Sequence, residues 1–85
     1  MKIRRTNSFL KDYRTLLANI QAQVDKQLTL LIDNPRHPSL RLKKLKDTDI
    51  FAIRVSKGYR LTLRSESSVL ELRRVGTHDL LRKEG

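Results

Sequence analysis

The chain has 85 residues, with nineteen Lys and Arg against nine Asp and Glu, a net charge of +10 and no cysteine. A length of this order makes one small domain, here expected to span residues 1–85, and the missing thiols exclude a disulfide scaffold and a cysteine-based zinc site. No apolar run reaches the length of a signal-peptide core or a membrane span, so the composition predicts a soluble cytoplasmic protein whose partner carries phosphates or an acidic surface.

Ile3 among charged neighbours predicts a short edge strand within residues 1–6, where Lys and Arg discourage edge-to-edge aggregation. Asn7 or Ser8 then caps a first helix on which Phe9, Tyr13, Leu16 and Leu17 fall on one face. The pattern restarts as Ile20, Val24, Leu28, Leu31 and Ile32 and stops at Asn34-Pro35, because the residue before proline disfavours the helical region. Two short amphipathic helices joined almost without a loop share an apolar seam that they cannot bury alone. Residues 36–46 follow, with Arg36, Arg41, Lys43, Lys44 and Lys46 and no acid, a basic loop anchored at Leu40, Leu42 and Leu45.

From Ile50 the spacing changes from helical to alternating. Phe51, Ile53 and Val55 lie on one side of a strand and Ala52 and Arg54 on the other. Tyr59, Leu61 and Leu63 alternate with Arg60, Thr62 and Arg64; residues 65–68 make a polar turn; Leu70 and Leu72 alternate with Glu71 and Arg73. With the apolar sides against the helices, the opposite face presents Arg54, Arg60, Arg64, Glu71 and Arg73. A last short helix is expected from Thr77 as N-cap to Lys83, with Leu80 and Leu81 packing back. The fold predicted is α+β: two N-terminal helices packed on one face of a small, mainly antiparallel sheet in the order β-α-α-β-β-β, with a short C-terminal helix.

Arginine transfers no proton at neutral pH, but its planar fork binds phosphate oxygens in two bonds and offsets charge in a phosphoryl transition state. Arg54 and Arg60 are therefore read as phosphate clamps, the alternative being a solvated strand face paired with Glu71. Lys43, Lys44 and Lys46 offer salt-dependent attraction to a nucleic-acid backbone, and Lys57, Arg64 and Arg73 extend the same basic surface. His78, after Gly76 at a predicted strand end, is the residue suited to proton transfer near neutrality, as RNA cleavage requires when a ribose 2′-hydroxyl attacks the adjacent phosphate. Its bland alternative is a histidine at a helix start, with Asp79 complementing the helix dipole. His37, between Pro35 and Pro38, is read as a loop histidine. Two distant histidines without HExxH spacing point to no metal site and no cofactor. Tyr59 and Phe51 alternate onto the core side and are read as packing, and the four aromatics in the chain are too few for a base-stacking sheet.

The element order, together with Asn34-Pro35-Arg36-His37-Pro38, Leu42-Lys43-Lys44-Leu45, Arg54-Val55-Ser56-Lys57-Gly58-Tyr59-Arg60 and Val75-Gly76-Thr77-His78-Asp79, resembles the RelE/ParE toxin superfamily over nearly the whole chain. The resemblance implies the toxin of a type II toxin–antitoxin pair, and in the RelE-like branch an endoribonuclease that cuts mRNA on the 70S ribosome and inhibits translation. Arg60 matches the phosphate-binding arginine after the tyrosine, Arg54 the arginine of the preceding strand, and His78 the C-terminal histidine of the branches that use one. Some members carry a lysine pair where this chain has Phe51 and Ile53, and a late tyrosine that it lacks, which leaves the general base to Asp79, Glu71, a loop lysine or no residue at all. The ParE-like branch shares the fold and poisons DNA gyrase, and a toxin that only binds its antitoxin is a third alternative. The antitoxin implied is acidic and partly disordered before it binds.

Overall fold

The computed structural model describes residues 2–80. Its elements are β1 (Lys2–Arg5), α1 (Asn7–Thr15), α2 (Ala18–Asp33), a 3₁₀ turn (Pro38–Leu40), β2 (Lys43–Lys44), β3 (Phe51–Ser56), β4 (Tyr59–Glu66) and β5 (Val69–Thr77). The strands form one sheet in the order β1-β5-β4-β3-β2, antiparallel except for β1, which runs parallel to β5. The expected α+β architecture stands, with one strand more than anticipated. Lys43 and Lys44 pair with Ala52 and Phe51, so part of the expected basic loop is an edge strand.

Both helices cover one face of the sheet, as the alternation of β3 and β4 requires. Phe9, Val24, Leu28 and Leu31 from the helices and Leu40 from the 3₁₀ turn pack against Ile53, Val55, Leu61, Leu63, Leu70, Leu72 and Val75. Leu17 and Ile32 are not buried in the seam: Leu17 is the N-cap residue of α2 and 69% exposed, and Ile32 is partly exposed at the rim of an apolar pocket with Leu42, Phe51 and Leu70. Leu42 is likewise exposed, so Leu40 and Leu45 alone of the three expected anchors are buried. Leu45 packs with Ile50 and Ala52 in a second, smaller cluster.

The cap of α1 is Thr6 rather than Asn7 or Ser8. Its hydroxyl accepts the Phe9 N–H and donates towards the Leu72 and Arg73 carbonyls at 2.9 and 3.0 Å, tying the helix start to β5. At the other end of the chain Thr77 closes β5 instead of capping a helix; His78 and Asp79 form a turn, and the buried Leu80 has helical backbone, so helix appears three residues later than the expected start at Thr77. The rest of the expected last helix, Leu81 to Lys83, lies outside the described residues.

Candidate active site

The β3–β4 hairpin turns through Lys57 and Gly58, and its register slips by one residue between Arg54 and Ser56. Arg54 and Arg60 are direct cross-strand partners, which puts their Cβ atoms about 5 Å apart on one face. The Arg60 guanidinium folds back over the turn and donates from Nη1 to the carbonyls of Ser56 and Tyr59, both at 2.9 Å. Burial lowers its pKa, and the charges of Arg54 and then Arg41 lower it further, yet a guanidinium stays protonated at any physiological pH. Among the described residues neither Arg54 nor Arg60 forms an ion pair with a carboxylate.

Across β4 from Arg54, Arg60 faces Gly76. A Cβ built on Gly76 would meet nothing within 4 Å, so the sheet beside Arg60 is bare backbone open to an incoming group. The Gly58 carbonyl accepts the His78 N–H at 3.2 Å, which seats His78 against the same turn that Arg60 covers. The imidazole is 71% exposed, with the Asp79 carboxylate 3.8 Å from Nε2. Asp79 also lines a cavity of about 350 Å³ between the end of α1 and β5, together with Leu17, Tyr59 and Arg74. Of the expected catalytic set, Arg54, Arg60 and His78 thus gather at one hairpin and Asp79 stands at its border. Tyr59 packs against the core, as its alternation suggested.

The remaining basic residues divide. Lys43, Lys44, Lys46 and Lys57 are exposed at the β2 edge, the following loop and the hairpin turn. Arg64 and Arg73 instead converge with Arg4 on Glu71, at 3.5 and 3.3 Å for the first two. Glu71 is buried, and its pKa is lowered chiefly by the Arg4 hydrogen bond, against the opposing effect of burial, with help from the charges of Arg4, Arg64 and Arg73. The arginine face expected from the alternation is therefore two sites. One end gathers around a carboxylate that offsets part of its charge, and the other holds Arg54 and Arg60.

Two contacts had no signal in the pattern. Asp12 takes Arg74 through Nε at 2.7 Å and Nη2 at 3.2 Å and also accepts the Val75 N–H at 3.1 Å, beyond the point where β1 stops pairing with β5. Gln27, a polar residue on the inner face of α2, is buried and donates to the Arg54 carbonyl at 2.8 Å, anchoring β3 at Arg54.

No family model and no curated protein matches the chain. Solved structures do. The YoeB/ParE toxin from Agrobacterium tumefaciens aligns with a TM-score of 0.79 at 20% identity, over 92% of this chain and 99% of that one. YafQ from E. coli aligns with a TM-score of 0.79 at 21% identity, over 94% and 96%. A chain of the intact E. coli RelBE toxin–antitoxin complex aligns with a TM-score of 0.72 at 26% identity, over 89% and 94%. The protein has the fold of the RelE/ParE toxin superfamily.

Proposed function

We propose that the protein is the toxin of a toxin–antitoxin pair and an endoribonuclease that cuts mRNA on the ribosome in the cytoplasm. The observation that carries this reading is the Arg54–Arg60 pair, two adjacent guanidiniums without a carboxylate partner among the described residues, beside bare Gly76 and the exposed His78 imidazole. Uncompensated cations with a titratable group at hand suit a reaction in which charge builds on a phosphate. The RNA phosphate sits against Arg54 and Arg60. The ribose 2′-hydroxyl attacks it, the P–O5′ bond breaks, and the products are a 2′,3′-cyclic phosphate and a 5′-hydroxyl. His78 takes the proton of the 2′-hydroxyl and gives it up to the leaving 5′-oxygen, with Asp79 as its polar neighbour. Arg60 is held in advance by the Ser56 and Tyr59 carbonyls, so little ordering remains for the transition state. Lys43, Lys44, Lys46 and Lys57 serve longer-range attraction to mRNA and rRNA. Arg64 and Arg73 act there only through what charge Glu71 leaves them. A net charge of +10 suits an acidic antitoxin, and similar folds occur in the RelBE and DinJ–YafQ toxin–antitoxin complexes of E. coli.

The test is induction in a bacterium without the antitoxin, with transcript 5′ ends mapped by primer extension for wild type, His78→Ala and Arg60→Ala. New ends within translated codons are expected for wild type. His78→Ala should lower their yield by about 10²–10⁴-fold without changing the far-UV circular dichroism, since the side chain is exposed. Growth arrest with DNA damage and no new ends would overturn the ribonuclease reading in favour of gyrase.

A further inference from the structure

β2 pairs only with the start of β3, and beyond Ala52 the outer edge of β3 is approached by the 3₁₀ turn instead of a strand. Between that edge, the 3₁₀ turn and α2 lies an open cavity of about 790 Å³. Lys26, His37, Arg41 and Arg54 line it beside the apolar Leu30 and Pro38, and among the described residues no Asp or Glu does. The three like charges of Lys26, Arg41 and Arg54 along it are unfavourable unless an anion balances them.

Two details bear on what that anion is. Arg41, at the end of the 3₁₀ turn, holds left-handed backbone (φ 47°, ψ 45°), which costs a non-glycine residue roughly 1–2 kcal/mol. Glycine would remove that cost, and with it the guanidinium. His37 Nδ1 accepts the Ser39 N–H at 3.1 Å, which leaves Nε2–H as the ring's donor. Arg54 belongs both to this wall and to the pair with Arg60, so the cavity adjoins the proposed cleavage site. The Arg41 charge reaches Arg60, in keeping with that proximity.

We infer that this cavity is a second nucleotide subsite, which takes a phosphate and sugar flanking the phosphate held at Arg54 and Arg60, with Arg41 as its two-bond anchor and His37 and Lys26 as further donors. The identity of the strand as RNA rests on the ribonuclease reading. An acidic peptide would need only the cations. A nucleotide also presents apolar sugar and base faces, which is what Leu30 and Pro38 are placed to meet.

The test uses uncleavable 2′-O-methyl RNA, a labelled dinucleotide with one phosphate and a labelled tetranucleotide, and measures binding by fluorescence anisotropy across a series of KCl concentrations. The variant is Arg41→Gly, because φ 47° suits glycine and thermal unfolding can verify that the fold survives. The expected result is an approximately 10-fold loss of tetranucleotide affinity with a salt slope reduced by about one, and dinucleotide binding unchanged. The subsite is overturned if wild type does not bind the tetranucleotide, if Arg41→Gly leaves its affinity unchanged or weakens both lengths alike, or if a poly-glutamate peptide of equal charge displaces it equally well. The last outcome would mark an acidic-protein surface. Primer extension reports separately: absent cleavage with the length-dependent Arg41 effect intact sinks the ribonuclease reading alone, and retained cleavage without that effect sinks the subsite alone.

Discussion

Glu71 is buried on the sheet face away from the helices, held by Arg4, Arg64 and Arg73. Its folded pKa lies below the ordinary carboxylate value, so its contribution to stability is fully present above about pH 4.3 and is lost as pH falls through the depressed folded value. Glu71→Gln keeps the shape and removes the charge. Because the arginines are partly exposed, the expected cost at pH 7 is about 1–2 kcal/mol, and it is smaller at pH 3. Urea unfolding at both pH values checks this, and an equal difference at the two would show that shape, not charge, is what Glu71 supplies. Gln27 makes the complementary case among neutral groups. Gln27→Leu leaves the Arg54 carbonyl without its side-chain donor and should cost about 1–3 kcal/mol, with RNA affinity falling alongside because β3 loses its anchor at the clamp. The sequence named Arg54, Arg60 and His78 from their chemistry. Gln27 and Asp12 escaped it because a polar residue on a helix face carries no mark of the strand it will meet.

The helices were legible from their period, since apolar residues at helical spacing have few other ways to reach a common core. Their ends were less so. Thr6, Asn7 and Ser8 are all good caps, and what selects Thr6 is outside the helix: the carbonyls of Leu72 and Arg73, to which its hydroxyl also donates. Thr6→Val, nearly the same in shape, should therefore lower stability by about 1–2 kcal/mol, read as a lower urea midpoint. A loss no larger than that of Asn7→Ala would contradict the assignment. β2 was missed for a related reason. Two lysines have no alternation to detect, and they become a strand only because β3 offers them an open edge at Phe51 and Ala52.

At the scale of the molecule, a charge of +10 works against compactness. The ion pairs around Glu71 and Asp12 offset it locally, while the Arg54–Arg60 end and the exposed lysines leave it uncompensated. Raising KCl from about 20 to about 300 mM screens the repulsion over distances beyond roughly 6 Å and should raise the thermal midpoint. A midpoint that falls with salt would mean that the ion pairs outweigh the repulsion. The sequence by itself determined the helices, the strand alternation, the excess of positive charge and the chemical types available at the candidate site, because these follow from local spacing and composition. Only the tertiary structure decided which arginines meet a carboxylate. β5 pairs Leu72 with Leu63 but Arg74 with Thr62, so Arg73 is the extra residue of a bulge. That one-residue shift brings Val75 opposite Leu61 in the core and Gly76 opposite Arg60, while Arg64 stays opposite Glu71. Ion pairing depends on register across strands, and register is fixed by which packing of the whole core buries Val75 instead of Arg74.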